Sequence, residues 1–162
     1  MIVIENFIIS KTDNLYLTFL ILLFIIPFNL SSQNLFEEKF EGCETSHFVV
    51  EKDNITVTPK EDIINILSTK FDKEVVEKIR GVLSFQILVY KNGESCVLSL
   101  QNETNIETDK LNLKEILENN LSWSKPDENK SAIVSIKFFG HSVGLKRIGM
   151  NDKGFHEITE LK

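Results

Sequence analysis

The sequence predicts a small α+β domain, a two-layer sandwich in which a three-stranded antiparallel sheet, in the order 2-1-3, carries two helices on one face. Three observations lead to this fold class. Residues 59–70 and 111–121 have the apolar spacing of helices, and three other segments alternate between apolar and polar residues as strands do. The order is helix, strand, strand, helix, strand. A right-handed crossover through the second helix then places the third strand beside the first.

The first helix is predicted from its amino-terminal end. Thr58 is a candidate N-cap, Pro59 suits the first helical position, and Glu61 completes a capping box three residues after the threonine. Apolar residues then recur at helical spacing and form one face, made of Ile63, Ile66, Leu67 and Phe71. The next stretch, 72–81, either extends this helix or forms a second turn of helix that ends at Gly81.

The first two strands form a hairpin around Asn92-Gly93, a dipeptide that favours a two-residue type I′ loop. Such a loop sets the register and brings apolar residues together on one face: Val89 with Cys96, Ile87 with Leu98, and Phe85 with Leu100. Cys96 is therefore expected to face the core. A buried cysteine in this position is either an inert small apolar residue or half of a disulfide.

The second helix and the third strand follow in residues 111–139. Asn112 is a candidate N-cap with Glu115 three residues later, and Trp123 and Pro126 end the helix. The sheet face opposite the helices is expected to stay in contact with water because it is polar, with Ser84, Gln86, Ser99, Gln101, Ser135 and Lys137. Residues 140–162 have weak periodicity and are expected to form a partly ordered tail with one short strand at most.

The amino-terminal residues predict export. The apolar run Leu15–Phe28 has the length of a signal-peptide core and is followed by small or polar residues, so 1–32 is interpreted as a cleaved signal peptide. The alternative is an uncleaved membrane anchor within residues 2–28. Residues 33–57 are a mixed segment that could form a short strand at 47–51 or at 54–57. In the periplasm or outside the cell, Cys43 and Cys96 could form a disulfide, and two buried free thiols are the alternative.

The sequence contains no pattern that indicates enzymatic chemistry. It has no glycine-rich phosphate loop, and Cys43 and His47 form a single pair where a structural zinc site needs four ligands. We therefore expect no catalytic residues, no metal and no cofactor. The net charge of −6 and the lack of a basic block argue against a nucleic-acid partner.

Four segments together resemble a known family. They are the hairpin VLSFQILVYKNGES, the helical segment LNLKEILENNLSWSKP, the strand AIVSIKFF and the stretch Phe40-Glu41-Gly42-Cys43-Glu44. In order and spacing they are similar to the C-terminal domain of TonB proteins, in the short form found in secreted proteins of Bacteroidetes-like bacteria. The resemblance covers about residues 40–139 and makes 58–139 the TonB C-terminal-like domain.

The resemblance implies a protein-binding module rather than an enzyme. In that family an extended peptide pairs with the last strand, so the implied binding edge is the third strand, with Ser131, Ile133, Ser135, Lys137 and Phe139. The implied partner is a protein, with an outer-membrane transport component or a second copy of the chain as candidates. Energy transduction is not carried over, because the roughly ten residues between Gln33 and Cys43 reach only about 35 Å.

A second function class stays open at this point. An exported α+β domain of this kind can also bind a small molecule or act as an inhibitor, with a pocket between the helices and the sheet. That alternative predicts an apolar cavity lined by Leu83, Phe85 and the first helix.

Overall fold

A sheet of seven strands is the framework of residues 34–140 and 142–159, the residues that the computed structural model describes. The strands are β1 (Glu38–Lys39), β2 (Val49–Val50), β3 (Arg80–Val89), β4 (Ser95–Thr104), β5 (Lys130–Phe139), β6 (Val143–Asn151) and β7 (Gly154–Ile158). Four short helices belong to the same described ranges: α1 (Ile63–Lys70), α2 (Lys73–Lys78), α3 (Thr108–Leu111) and α4 (Leu113–Asn120). The predicted signal peptide or anchor, 1–32, lies outside the described residues.

The predicted fold class is wrong, because the sheet has seven strands rather than three and the helices number four rather than two. The strand order is β1-β4-β3-β5-β6-β7, with every neighbour antiparallel, and β2 pairs in parallel with the start of β5. The three predicted strands are β4, β3 and β5, which form only the middle of this sheet.

The segment that was expected to be a tail forms β6 and β7. The sequence of β6 does not show the alternation of a strand, because its apolar residues lie on one side of the sheet at the start of the strand and on the other side further along. Val143 and Leu145 take the side that faces the helices, but the next two positions on that side hold Arg147 and Gly149, while Ile148 points the other way. A buried arginine in an inward position breaks the alternation from which strands are predicted.

The loop between β3 and β4 differs from the predicted two-residue turn. It has three residues, 91–93: the Gly93 N–H donates to the Tyr90 carbonyl (2.9 Å) and the Tyr90 N–H donates to the Glu94 carbonyl (2.9 Å). Gly93 has a φ of 89°, a left-handed conformation that glycine adopts without strain. This is the geometry of a three-residue hairpin loop that ends in a left-handed glycine.

The extra loop residue shifts the register beside the turn. Cys96 faces Leu88 instead of Val89, which places it on the side opposite the helix-packed core that contains Val97. A bulge at Leu98 then takes up the shift, and Phe85 faces Leu100 as predicted. The predicted face of Cys96 is therefore wrong, although its side chain is buried.

Helix α1 begins four residues later than predicted. Its N-cap is Asp62, whose carboxylate accepts hydrogen bonds from the N–H groups of Ile64 (2.8 Å) and Asn65 (3.3 Å). Thr58 is not a cap, because its carbonyl accepts a hydrogen bond from the Ser124 N–H (2.8 Å) in an extended bridge. At α4 the side chain of Asn112 donates to the Glu115 carboxylate and makes no capping bond.

The sheet face opposite the helices is predicted to stay in contact with water, but in the structure the middle of this face is buried. Gln86 and Ser99 are fully buried, whereas Gln101 and Lys137 are exposed. The buried polar side chains satisfy one another and the chain that crosses them. Gln86 accepts hydrogen bonds from the Leu35 N–H and the Ser99 hydroxyl (both 3.0 Å) and donates to the Ser131 hydroxyl (2.9 Å). The segment that leads into β1 therefore covers this face.

Glu51, just after β2, bridges the neighbouring strands β5 and β6 through its backbone. Its N–H donates to the Ser131 carbonyl on β5 (3.1 Å), and its carbonyl accepts from the Met150 N–H on β6 (2.9 Å). The ladder between β5 and β6 ends at Ile133. Residues 49–51 therefore fill the place beside the start of β5 that β6 does not reach.

The Glu51 side chain is fully buried and forms an ion pair with Arg147 Nη2. Its other oxygen accepts from the N–H groups of Thr56 (2.6 Å) and Val57 (3.0 Å), which fixes the loop after β2. Arg147 Nη1 donates to the Val57 carbonyl (3.0 Å), and the guanidinium lies 5.4 Å from the centre of the Trp123 ring. The pair thus connects β6, the loop and the helical layer.

Cys43 and Cys96 form a disulfide with 5.7 Å between their Cα atoms, and both cysteines of the chain are used in it. It ties the segment after β1 to the start of β4. Of the two alternatives for the cysteines, the disulfide is the correct one.

We expect Glu51→Gln to lower the free energy of unfolding by about 3 kcal/mol or more, because a buried guanidinium loses its counter-charge. Urea denaturation measures this. The control is Glu41→Gln, which removes the same charge from an exposed position. Equal midpoints for the two variants would show that the buried pair does not hold the fold.

Reduction of the disulfide should also destabilise the protein. The bridged cysteines are 53 residues apart, and chain entropy gives roughly 4 kcal/mol for a loop of that length. Urea midpoints with and without reductant test this, with the Cys43→Ala/Cys96→Ala double variant as the control that should not respond. The expectation fails if the wild-type midpoint is unchanged by reductant.

Candidate functional site

The predicted binding edge, β5, is not an edge. β3 pairs with one side of it from Arg80↔Phe139 to Val89↔Lys130, and β6 pairs with the other side from Ile133 to Phe138. β2 occupies the remaining positions at Lys130 and Ser131. The structure therefore corrects the assignment of Ser131, Ile133, Ser135, Lys137 and Phe139, because their backbone has no free side to accept another strand.

The outer side of β4 is closed along most of its length. β1 pairs with Ser99 and Leu100, and the disulfide holds the following segment against Cys96. The Val97 N–H donates to the Glu118 carboxylate of α4 (2.9 Å), and the Thr104 N–H donates to the Asn102 side chain (2.9 Å). These outward backbone groups of β4 are thus satisfied from within, which protects an edge against unwanted pairing.

The outer side of β7 has no such cover among residues 34–140 and 142–159, since β7 is the last strand of the sheet. The Met150 N–H points to Glu51 and away from β7, so the Met150–Phe155 pair is not hydrogen-bonded. The N–H and carbonyl of Phe155 therefore point outward, and those of Glu157, two residues later, do so as well. The Phe155 side chain is 57 % exposed beside them.

The β6–β7 hairpin that presents this edge is anchored by the loop after β2 and by an ion pair between its own strands. Asp53 accepts a hydrogen bond from the Asn151 side chain (2.8 Å) and lies 3.2 Å from His156 Nε2. Lys146 pairs with Glu157 across the hairpin. At Gly149 the Lys52 carbonyl lies only 1.7 Å from where a Cβ would be, so the loop can cross β6 there only because the residue is glycine.

An open groove of about 850 Å³ runs between β6–β7 and the chain that leads into α1. Glu61 stands on its rim. The Glu61 carboxylate accepts hydrogen bonds from the Ser122 N–H (2.8 Å) and hydroxyl (3.0 Å). The Ser122 backbone N–H is the main cause of a lowered pKa for Glu61, since it favours the ionised carboxylate.

The cavity expected by the small-molecule alternative is not where the sequence placed it. Leu83 and Phe85 are fully buried in the core, and neither of them lines the apolar cavity that the structure does have. A different apolar cavity, of about 340 Å³, lies between α1, α2 and the ends of β5 and β6.

The residues of the open edge, Phe155 and Glu157, were not predicted from the sequence. A signal for them is present in the sequence: the polar stretch Asn151-Asp152-Lys153-Gly154 has the composition of a hairpin loop. It stands between the apolar residues near Ile148 and the segment 155–158.

Comparison with known proteins adds no relative: no family model matches the chain, and neither a curated protein nor a solved structure matches it. The resemblance to the TonB C-terminal domain thus stays a prediction. None of the helices within 34–140 and 142–159 is long and apolar enough to cross a membrane. The disulfide is compatible with an exported protein.

The Glu61 contacts predict a pH dependence. A carboxylate whose pKa is lowered on folding stabilises the protein above its unfolded pKa, and this contribution is lost as the pH falls through the folded pKa, which lies below 4.5. The melting temperature of the wild type should exceed that of Glu61→Gln at about pH 6, and the gap should close towards about pH 3. A gap that stays constant over this range would contradict the assignment.

Proposed function

We propose that the protein is an exported protein-interaction module that binds an extended peptide segment as an added strand on the outer side of β7. The observation that carries the proposal is the outward backbone of Phe155 and Glu157, on a side of β7 that no described strand covers. Strand addition is the mode of binding that the family resemblance implies. The proposal moves it from β5, which is covered on both sides, to β7.

The edge offers a defined set of contacts. Two N–H groups and two carbonyls can form up to four backbone hydrogen bonds, each with a net value of about 0.5–1.5 kcal/mol. Phe155 adds an apolar side chain on one face, next to the ion pair between Lys146 and Glu157. These contacts favour a partner strand with an apolar residue opposite Phe155 and polar residues beside it.

Two kinds of partner fit such an edge. One is an extended segment of another protein, for which the resemblance suggests a component of outer-membrane transport. The other is a second copy of the chain, paired β7 to β7 about a two-fold axis. Export to the periplasm or beyond is part of the proposal, and the disulfide supports it because such bonds persist in oxidising compartments.

The proposal is tested with Glu157→Pro, which removes an outward N–H, and its control Glu157→Gln, which removes the same charge but keeps the N–H. Linear peptides are selected from a displayed random library on the wild-type protein, and their affinity for each variant is measured. We expect binding to survive in Glu157→Gln and to fall at least tenfold in Glu157→Pro, because strand addition depends on main-chain hydrogen bonds.

Sedimentation velocity of the same variants separates the two partners. A dimer that dissociates in Glu157→Pro alone identifies the second copy as the occupant of the edge. The proposal is wrong if no linear peptide is selected and the protein is monomeric, or if a folded Glu157→Pro variant binds the selected peptides as tightly as Glu157→Gln does.

A further inference from the structure

We propose that the cavity between α1, α2 and the ends of β5 and β6 binds an apolar carboxylate, such as a medium-chain fatty acid, with its carboxylate on Arg80. This site is separate from the open edge of β7 and does not depend on the function proposed for it.

The cavity has the size and the lining of a site for a small apolar ligand. Its volume of about 340 Å³ lies within the range of ligand pockets. Most of its wall is apolar and comes from two helices and two strands: Ile64, Leu67, Phe71, Val76, Phe138 and Val143. An alkyl chain of medium length would be removed from water along most of its surface in this space.

The cavity lies where none of the four described helices covers the end of β6. Val143 and Leu145 point to the helical side of the sheet, yet they are 41 % and 38 % exposed. Helix α1 ends at Lys70, and the chain turns at Phe71 into the short α2, which leaves the space beside Val143 open. Apolar residues that face the core layer but lack a packing partner favour an apolar occupant.

Arg80 is exposed and does not itself line the cavity, but its guanidinium lies beside Gly140, which does. A Cβ on Gly140 would lie 3.4 Å from both Nε and Nη2 of Arg80, and Gly140 itself lines the cavity. The Arg80 side chain is held in place, because Nη1 donates to the carbonyls of Glu77 (3.1 Å) and Ile79 (2.6 Å). Its backbone is fixed too, since the Arg80 N–H donates to the Asn105 side chain (2.6 Å).

The two remaining donors of Arg80, Nε and Nη2, have no acceptor within 34–140 and 142–159, and no carboxylate in those ranges pairs with them. These two N–H groups are parallel, so they match the two oxygens of a carboxylate. Glu77 also lies at the rim, but its charge is offset by Lys73 Nζ at 3.8 Å. The charge at this corner therefore favours an anion over a cation.

The test uses decanoate, with decanol as a neutral probe of the same chain length, both below the concentrations at which they aggregate. Binding to the purified protein is measured by calorimetry and mapped by NMR chemical shifts. We expect decanoate to bind more tightly than decanol and to shift the signals of Ile64 and Val143, because only the acid satisfies Arg80.

Two variants locate the site. Arg80→Gln should weaken decanoate by about ten- to a hundredfold and leave decanol unchanged, whereas Lys91→Gln, a matched loss of charge in the β3–β4 loop, should change neither. Val143→Trp should block both probes, because a larger side chain at this partly exposed position fills the cavity.

The proposal is overturned if decanoate does not bind, if decanol binds equally well, or if folded Val143→Trp still binds decanoate. Glu157→Pro should still bind decanoate. The loss of peptide binding at the β7 edge and the loss of decanoate binding in the cavity are therefore distinguishable.

Discussion

Glu51 connects parts of the sheet that the chain order keeps far apart. Its backbone bridges β5 and β6, and its carboxylate meets Arg147 and two N–H groups of the loop after β2. A buried carboxylate is tolerated only where its charge and its lone pairs are satisfied, so the loop, the arginine and the two strands must take their places together. The position of β6, and of the β7 strand that pairs with it, follows from this arrangement.

The two edges of the sheet differ in whether their outward backbone groups are covered. At the β4 end, a short strand, a disulfide and the Glu118 carboxylate satisfy or cover the outward backbone groups. At the β7 end, the described chain supplies no equivalent, although the hairpin is anchored by Asp53. A paired and anchored strand with an open side is suited to recognition, because little ordering entropy is lost when a partner strand is added.

The alternation of apolar and polar residues correctly predicted the three strands in the middle of the sheet. The strands around Phe85, Leu100 and Ile136 were found from alternation alone, and they are neighbours in the sheet as the crossover rule requires. The predicted fold class failed where tertiary contacts override the pattern. Arg147 occupies an inward position because Glu51 neutralises it, so the sequence of β6 lacks the alternation of a strand. Without β6 in the predicted sheet, β5 becomes its edge strand. The cavity beside Arg80 could not be predicted, because it depends on where two short helices end.

Hydrogen exchange at the individual amides of β7, followed by NMR, shows directly whether the outer side of this strand is open. If β7 is a firmly paired strand with an open outer side, the inward amides of His156 and Ile158 will exchange slowly, and the outward amides of Phe155 and Glu157 will exchange at nearly unprotected rates. Equal protection of all four amides would mean that the outer side of β7 is already covered and cannot accept a partner strand.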